Sequence, residues 1–513
     1  MKKILLSAVM LSCIIACRQD GLSNENNSQQ TKQNLYDVKS VYKQEFSIAL
    51  AKALTTNSDL RDFIKNEALK KFDNDYDVLY QMVKDEIVGG KKFKDIIAEQ
   101  YEKKENLEAL ERLYPTLTIF IPELPMNSFS AERWDSKTEI PQVAYTLNTT
   151  SSIPIVNGKG EENFLDAKYI PSFPVLVVKE NERVKVSTGI NDKVAATNKN
   201  AVNSILKGTS YSFEFLDDAF NGGKSARVQR LASTATNMQV NTPIIDSKVQ
   251  QAYDIYKNAD GWQRDYIYYD ITPGQQRGQF KYDFQEYLTS FSMNDAKGLS
   301  IISDQAGDPV NNFNYVDSRW NGDGPKAPWT GGNFEFKVHV LINASNGVGA
   351  SIDKYFSVSP SDLYDAKYIE VGPLPVIRGI FQLESMTPKR VPLNIPLFNW
   401  DLSQYASSIK ISIEEVDLTE EETRTDTRSV KFATNFGVDT DGLIKKIGLK
   451  FGASLEKTES STVTYKVTKS SDQLGDVIVN FADNVITNIN GSYGIRNYSS
   501  GLYTIVVEPK RVQ

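Results

Sequence analysis

Only two cysteines occur in 513 residues, Cys13 and Cys17, and both lie near the start of the chain. No disulfide can tie the remaining chain together, so its fold has to be held by packing and paired polar groups. The same count excludes a cysteine-protease nucleophile, a cysteine-ligated zinc site and an iron–sulfur cluster in that part. Histidine is scarcer still, with His339 alone. A His-Glu-x-x-His metalloprotease and a multi-histidine metal centre are therefore excluded. A Ser-His-Asp triad would have to use His339 itself, and no Gly-x-Ser-x-Gly elbow occurs. At 40% hydrophobic and 24% charged residues the composition is globular. The length suits two to four domains at about 100–200 residues each.

The first residues carry an address. Met1-Lys2-Lys3 precedes an apolar run over residues 4–15, then Ala16 and Cys17. This run resembles a bacterial lipoprotein signal peptide, and Ile14-Ile15-Ala16-Cys17 resembles its lipobox. The resemblance implies cleavage before Cys17, loss of Cys13 with the signal, and lipidation of Cys17. The apolar run is too short to span a bilayer permanently. Two or three acyl chains would hold the protein stably, at about 0.8 kcal/mol per buried methylene. The lipobox and general layout are similar to those of exported lipoproteins of Gram-negative bacteria. They imply an outer-membrane, lipid-anchored location, with the periplasmic or surface side left open by Arg18-Gln19-Asp20. A net charge of −7 with no Lys/Arg block lacks the basic footprint of a nucleic-acid binder.

The rest divides by pattern. Residues 1–16 are the signal and 17–36 the lipidated cysteine with a polar, flexible tether. Residues 37–113 read as a small helical bundle. Phe46, Ala49, Leu50 and Leu54 mark one amphipathic helix, and Leu60, Phe63, Ile64, Ala68 and Leu69 mark a second over 58–72. Further helices are expected over 78–87, 93–101 and 107–113, the last halted by Pro115. Residues 114–330 read as a mixed, mainly β domain, with strands over 116–121 and 169–178. Thr242-Pro243 offers an N-cap and first-turn pair for a helix to about residue 256. Residues 331–513 read as an antiparallel β-sandwich. Phe334, Phe336, Val338 and Val340 alternate there with Glu335, Lys337 and His339. The expected fold class is α+β: a helical bundle, β-rich domains and a C-terminal sandwich.

Motifs with chemical promise mostly have plainer readings. Gly223-Lys224-Ser225 resembles the end of a P-loop, but Asp218 stands where its first glycine should be. Gly347-x-Gly349 lacks a third glycine and a following helix. Asp73, Asp75 and Asp77 alternate like the start of a calcium loop, yet Val78 and Lys84 occupy its glycine and glutamate positions. They read as a solvated link between helices. Glu420-Glu421-Glu422 after Asp417 reads as a hydrated hairpin end, and Asp439 and Asp441 as turn formers. His339 reads as a solvated strand histidine. No catalytic residue, metal or cofactor is assigned.

Aromatic residues supply the binding candidates. Trp262 opens a tyrosine-rich stretch running to Tyr269, and Trp320 and Trp329 flank a Gly/Pro loop around Gly322-Asp323-Gly324-Pro325. Loop aromatics stack on ligands, whereas strand aromatics usually fill cores. The ribbons over 429–468 alternate apolar with Ser/Thr positions. Such ribbons build sandwiches and also the barrels of pore-formers. The leading expectation is a non-enzymatic binding protein, anchored in a lipid bilayer through acylated Cys17, with a carbohydrate or protein ligand and no nucleic acid. The alternatives are a carboxylate-based glycan hydrolase and a pore-former using the 429–468 hairpins.

Overall fold

The structure is a computed structural model. It describes residues 40–124, 128–147, 152–166, 171, 173–188, 211–223, 245–259, 261–274, 278–303, 315–317, 333–345, 349–370, 380–416, 421–434, 456–468, 471–489 and 492–512. Cys17, the tether, Trp320, Trp329, the 322–325 loop, Asp417, Glu420, Thr242-Pro243, Lys224-Ser225, Gly347 and the stretch 435–455 lie outside the described residues. The fold mixes helices with several antiparallel sheets. Among the described residues no helix is long and apolar enough to cross a membrane.

A helix over residues 40–56 buries Phe46, Ala49, Leu50, Ala53 and Leu54, the three-and-four spacing of one face. The next helix, Ser58–Ala68, is capped by the Asn57 side chain, which accepts from the Leu60 amide at 3.0 Å. It ends four residues before the expected position 72, and the turns behind it place Lys71 and Asn74 at positive φ. The expected helix over 78–87 is absent. In its place stand a strand Asp77–Leu79, one turn of helix Tyr80–Val83, and a tight hairpin through Gly89 and Gly90, both at positive φ. Edge pairing of Asp77–Leu79 with Leu117–Phe120 overrides the local helical pattern. Helices Phe93–Ala98 and Lys104–Leu113 follow.

These helices do not close on one another as a bundle. Phe46, Leu50, Ile64 and Phe93 share one core with Ile119, Val143 and Val177 of a six-stranded sheet. That core crosses residue 114. In the sheet the strand Val175–Glu180 lies between Leu117–Phe120, antiparallel, and Gln142–Tyr145, parallel. It begins after Pro171 and Pro174, where a missing amide costs no ladder bond.

A second core runs from Val249 to Val507. Helix Ser247–Tyr256 is capped by Asp246, whose side chain accepts from the Lys248 amide, four residues beyond the expected Thr242 cap. Two four-stranded antiparallel sheets supply most of the core. The Phe291 ring, on Phe284–Met293 of one, lies 5.0 Å from Phe336 and 5.2 Å from Phe356 of the other. Phe334, Phe336, Val338 and Val340 all face this core, as their alternation predicts.

The opposite face of Phe334–Ile342 departs from expectation. Glu335, Lys337 and His339 are as buried as the phenylalanines. A two-stranded hairpin, Glu421–Ala433 paired with Glu456–Thr468, lies over them. His339 is therefore not solvated: its ring has no exposed surface.

Candidate functional site

A buried polar seam starts at the three aspartates. The segment after helix Ser58–Ala68 carries Asp73 inward, and strand Asp77–Leu79 carries Asp77 inward. The solvated link expected here is overturned, since Asp73 and Asp77 are 0% and 2% exposed. Their partners come from the end of strand Val175–Glu180. Asn181 Nδ2 donates to Asp73 Oδ2 at 2.6 Å and lies 3.3 Å from Asp77 Oδ2. Lys179 Nζ is 3.8 Å from Asp77 Oδ2. Arg183 donates to the Asp73 carbonyl at 2.9 Å and sits 3.4 Å from Asp75. Two cations and an amide thus stand where a calcium loop would place its metal, and no metal-holding group of three acids or histidines occurs among the described residues.

Burial dominates the electrostatics. It raises the carboxyl of Asp73 and lifts that of Asp77 well above the carboxylate range, against the pull of Arg183 and Lys179. Neighbouring Glu182 is pushed up to about 7 by the same cause. Asp77 Oδ1 has no hydrogen-bond partner.

Arg183 carries the seam onward. Its Nε donates to Glu335 Oε1 at 2.8 Å, tying the first sheet to the second core, and Ser357 donates to the same oxygen. Two residues along, Lys337 Nζ reaches Asp353 at 3.4 Å and donates to the Lys466 carbonyl at 2.9 Å. Two further, His339 Nδ1 meets Asp353 Oδ1 at 2.9 Å and Nε2 faces Glu414 Oε1 at 3.2 Å. A catalytic triad is ruled out at this histidine, because a carboxylate occupies the place of the serine. Burial disfavours the charged ring, but the pairing with Asp353 and Glu414 outweighs it and raises the histidine's pKa. The same pairing lowers both carboxyls against burial.

A cleft of about 280 Å³ adjoins the seam's first end. Its apolar wall comes from Phe72, Val78, Leu79, Met82 and Val83, and its polar groups from Glu67, Lys70, Asp77 and Glu86. Lys70 is held by Glu67 at 2.6 Å. Charged and apolar side chains thus share the lining almost evenly, and the volume is just below the roughly 300–1,000 Å³ usual for a small-ligand site.

The aromatic stretch after Trp262 is packed into the fold. Residues Gln263–Tyr269 form a helix that buries Arg264, Ile267, Tyr268 and Tyr269. Trp262 is partly buried against the second core, and its amide donates to the Ala482 carbonyl at 2.8 Å. Gly261 and Trp262 both have positive φ, 104° and 69°. A Cβ at Gly261 would collide with the Ala482 carbonyl oxygen. Gly261→Ala is expected to cost roughly 2 kcal/mol or more, read as a lower urea midpoint; an unchanged midpoint would refute that strain.

Sequence reasoning missed Lys179, Asn181, Arg183, Asp353 and Glu414. The all-apolar run at 175–178 is followed by five polar residues, Lys179 to Arg183, with no alternation that marks which of them turn inward. Comparison with protein-family models, curated proteins and solved structures yields no match to this chain.

Proposed function

We propose that this chain is an exported protein held on a bilayer, at the outer membrane, by acylated Cys17, and that it works by binding. The observation that carries the binding reading is the cleft beside Asp77–Leu79, where an apolar wall faces four charged side chains. It suits one sugar residue or one peptide side chain with an apolar body and a polar end. The anchor rests on the Lys2-Lys3 start, the short apolar run and Ala16-Cys17. In this reading the two four-stranded sheets that share the second core form a C-terminal sandwich, whose contact through Phe291, Phe336 and Phe356 supports it.

Two measurements test the proposal. Radiolabelled palmitate should enter the wild-type protein in cells and not Cys17→Ala; equal labelling removes the anchor. Thermal shifts with a panel of monosaccharides and dipeptides should single out one class. Met82→Trp, which fills the cleft, should abolish that shift while leaving the unliganded midpoint within a few degrees. A shift that survives Met82→Trp places binding elsewhere.

A carboxylate-based hydrolase is a second reading, favoured by Asp77, whose raised carboxyl could serve as a general acid beside the cleft. Glycan hydrolysis lost in Asp77→Asn would establish it in place of pure binding. The pore-forming alternative has less support: the apolar residues Val430, Phe432, Val463 and Val467 of the described hairpin are buried against the protein.

A further inference from the structure

We propose that the hairpin Glu421–Ala433/Glu456–Thr468 is an arm that lifts off the sheet as a unit while both cores stay folded, with His339, Asp353 and Glu414 as its latch. The arm is a two-stranded sheet of its own, paired in register from Glu421↔Thr468 to Ala433↔Glu456, and among the described residues no third strand joins its ladder; one backbone bond, from the Ser407 amide to the Lys431 carbonyl at 2.8 Å, ties it to the segment before Ser408–Glu415. The second core takes no fully buried residue from it. Val430 and Phe432 instead form a small separate cluster with Ala406.

Four buried apolar side chains, Val430, Phe432, Val463 and Val467, and a set of polar contacts hold it down. Lys337 Nζ donates to the Lys466 carbonyl at 2.9 Å, and Asn343 Nδ2 to Ser461 Oγ at 3.0 Å. Arg428 donates to Asn343 Oδ1 at 2.8 Å and to the Leu341 carbonyl at 3.2 Å. Lys410 bridges Asp426 of the arm and Asp476 of the sheet, both at 2.8 Å. Contacts of this kind exchange for water at about 0.5–1.5 kcal/mol each, whereas opening an apolar core exposes its whole surface. The arm can therefore open without exposing the surface of the second core.

The latch sits beneath the strand Glu456–Thr468. The Tyr465 ring packs on His339 at 5.2 Å, and the Thr468 amide and hydroxyl donate to Glu414 Oε1. While the imidazole is charged it faces one carboxylate on each side. When it loses the proton, Asp353 keeps Lys337 and Ser351, and Glu414 keeps the neutral donors Thr468, Ser471 and Gln473. The neutral ring keeps one N–H, which Asp353 can take at Nδ1; Glu414, its side chain fully buried, then loses its charged neighbour and gains from water, which reaches it only if the arm lifts. The other charged groups over this face are Arg428, Lys410, Asp426 and Asp476.

The sign follows from linkage. A histidine whose pKa is raised in the closed state stabilises that state below its open-state value, and the benefit is lost as pH rises through the raised value. Amide hydrogen exchange on the full chain at pH 6 and pH 9, corrected for intrinsic rates, reads the opening. Amides of Glu421–Ala433 and Glu456–Thr468 should exchange about tenfold faster at pH 9, with Phe284–Met293 and Tyr503–Arg511 unchanged. His339→Gln should exchange fast in the arm already at pH 6 and lose the pH response, and His339→Lys should stay slow at both. Arm and sheet opening together in the wild type, or a wild-type pH response in His339→Gln, would overturn the proposal.

Discussion

Arg264→Met should destabilise the second core by about 3–5 kcal/mol, because it leaves Glu286 buried without its cation. Both side chains are completely buried and joined by two parallel bonds, Nε to Oε1 at 2.7 Å and Nη2 to Oε2 at 3.0 Å. The guanidinium also donates to the Asp483 carbonyl at 3.2 Å and lies 5.5 Å from the Trp400 ring. After the substitution only the Tyr268 hydroxyl, at 3.0 Å, still serves the carboxylate. Glu286→Leu should cost a similar amount by stranding the guanidinium. The double variant Arg264→Met/Glu286→Leu should recover part of either loss, since it removes both buried charges and leaves only the Tyr268 hydroxyl and the Asp483 carbonyl without these partners. Urea unfolding of the four proteins closes the cycle, and simple additivity of the two single losses would refute a coupled pair.

Helix Gln263–Tyr269 also shows where the sequence stops being legible. Its residues run from three polar to four aromatic or aliphatic ones with no helical period, and the αL residues at its two ends, Trp262 and Asp270, have no side-chain signature that announces them. The strand Phe334–Ile342 was readable on its core side, because phenylalanine and valine at every second position leave one arrangement. Its other side was not. Glu335, Lys337 and His339 imply water unless something covers them, and the cover arrives from a hairpin some eighty to a hundred and thirty residues later. Asp73 and Asp77 misled for the same reason: their partners lie more than a hundred residues away, at Asn181, Lys179 and Arg183. Local pattern fixes which residues share a face; long-range pairing decides whether that face is wet. The candidate cleft was illegible throughout, since Glu67, Asp77 and Glu86 meet only once Asp77–Leu79 becomes an edge strand.

Arg183 is the residue on which that long-range pairing converges, and its replacement should show a pH signature as well as a large loss. It bonds Glu335 and the Asp73 carbonyl and lies beside Asp75, holding two cores to one another. In the wild type, burial raises Asp73, Asp77 and Glu335 above their ordinary values. A carboxyl raised in the folded state binds more protons there than in the unfolded chain. Its contribution is therefore favourable at low pH and declines as pH climbs from about 4 through the raised value. Arg183 limits that decline by neutralising the acids as they ionise. Arg183→Gln removes the brake, so the loss should approach about 3–5 kcal/mol at pH 8 and be clearly smaller at pH 5, where protons take over the neutralising role. Adding Glu335→Gln should return part of the stability at pH 8 and little at pH 5, because the neutral amide does permanently what the proton does only in acid. Urea midpoints of the wild type, the single and the double variant at both pH values test this. An equal loss at pH 5 and pH 8 would mean that Arg183 holds the seam by shape and hydrogen bonding, with its charge balanced elsewhere.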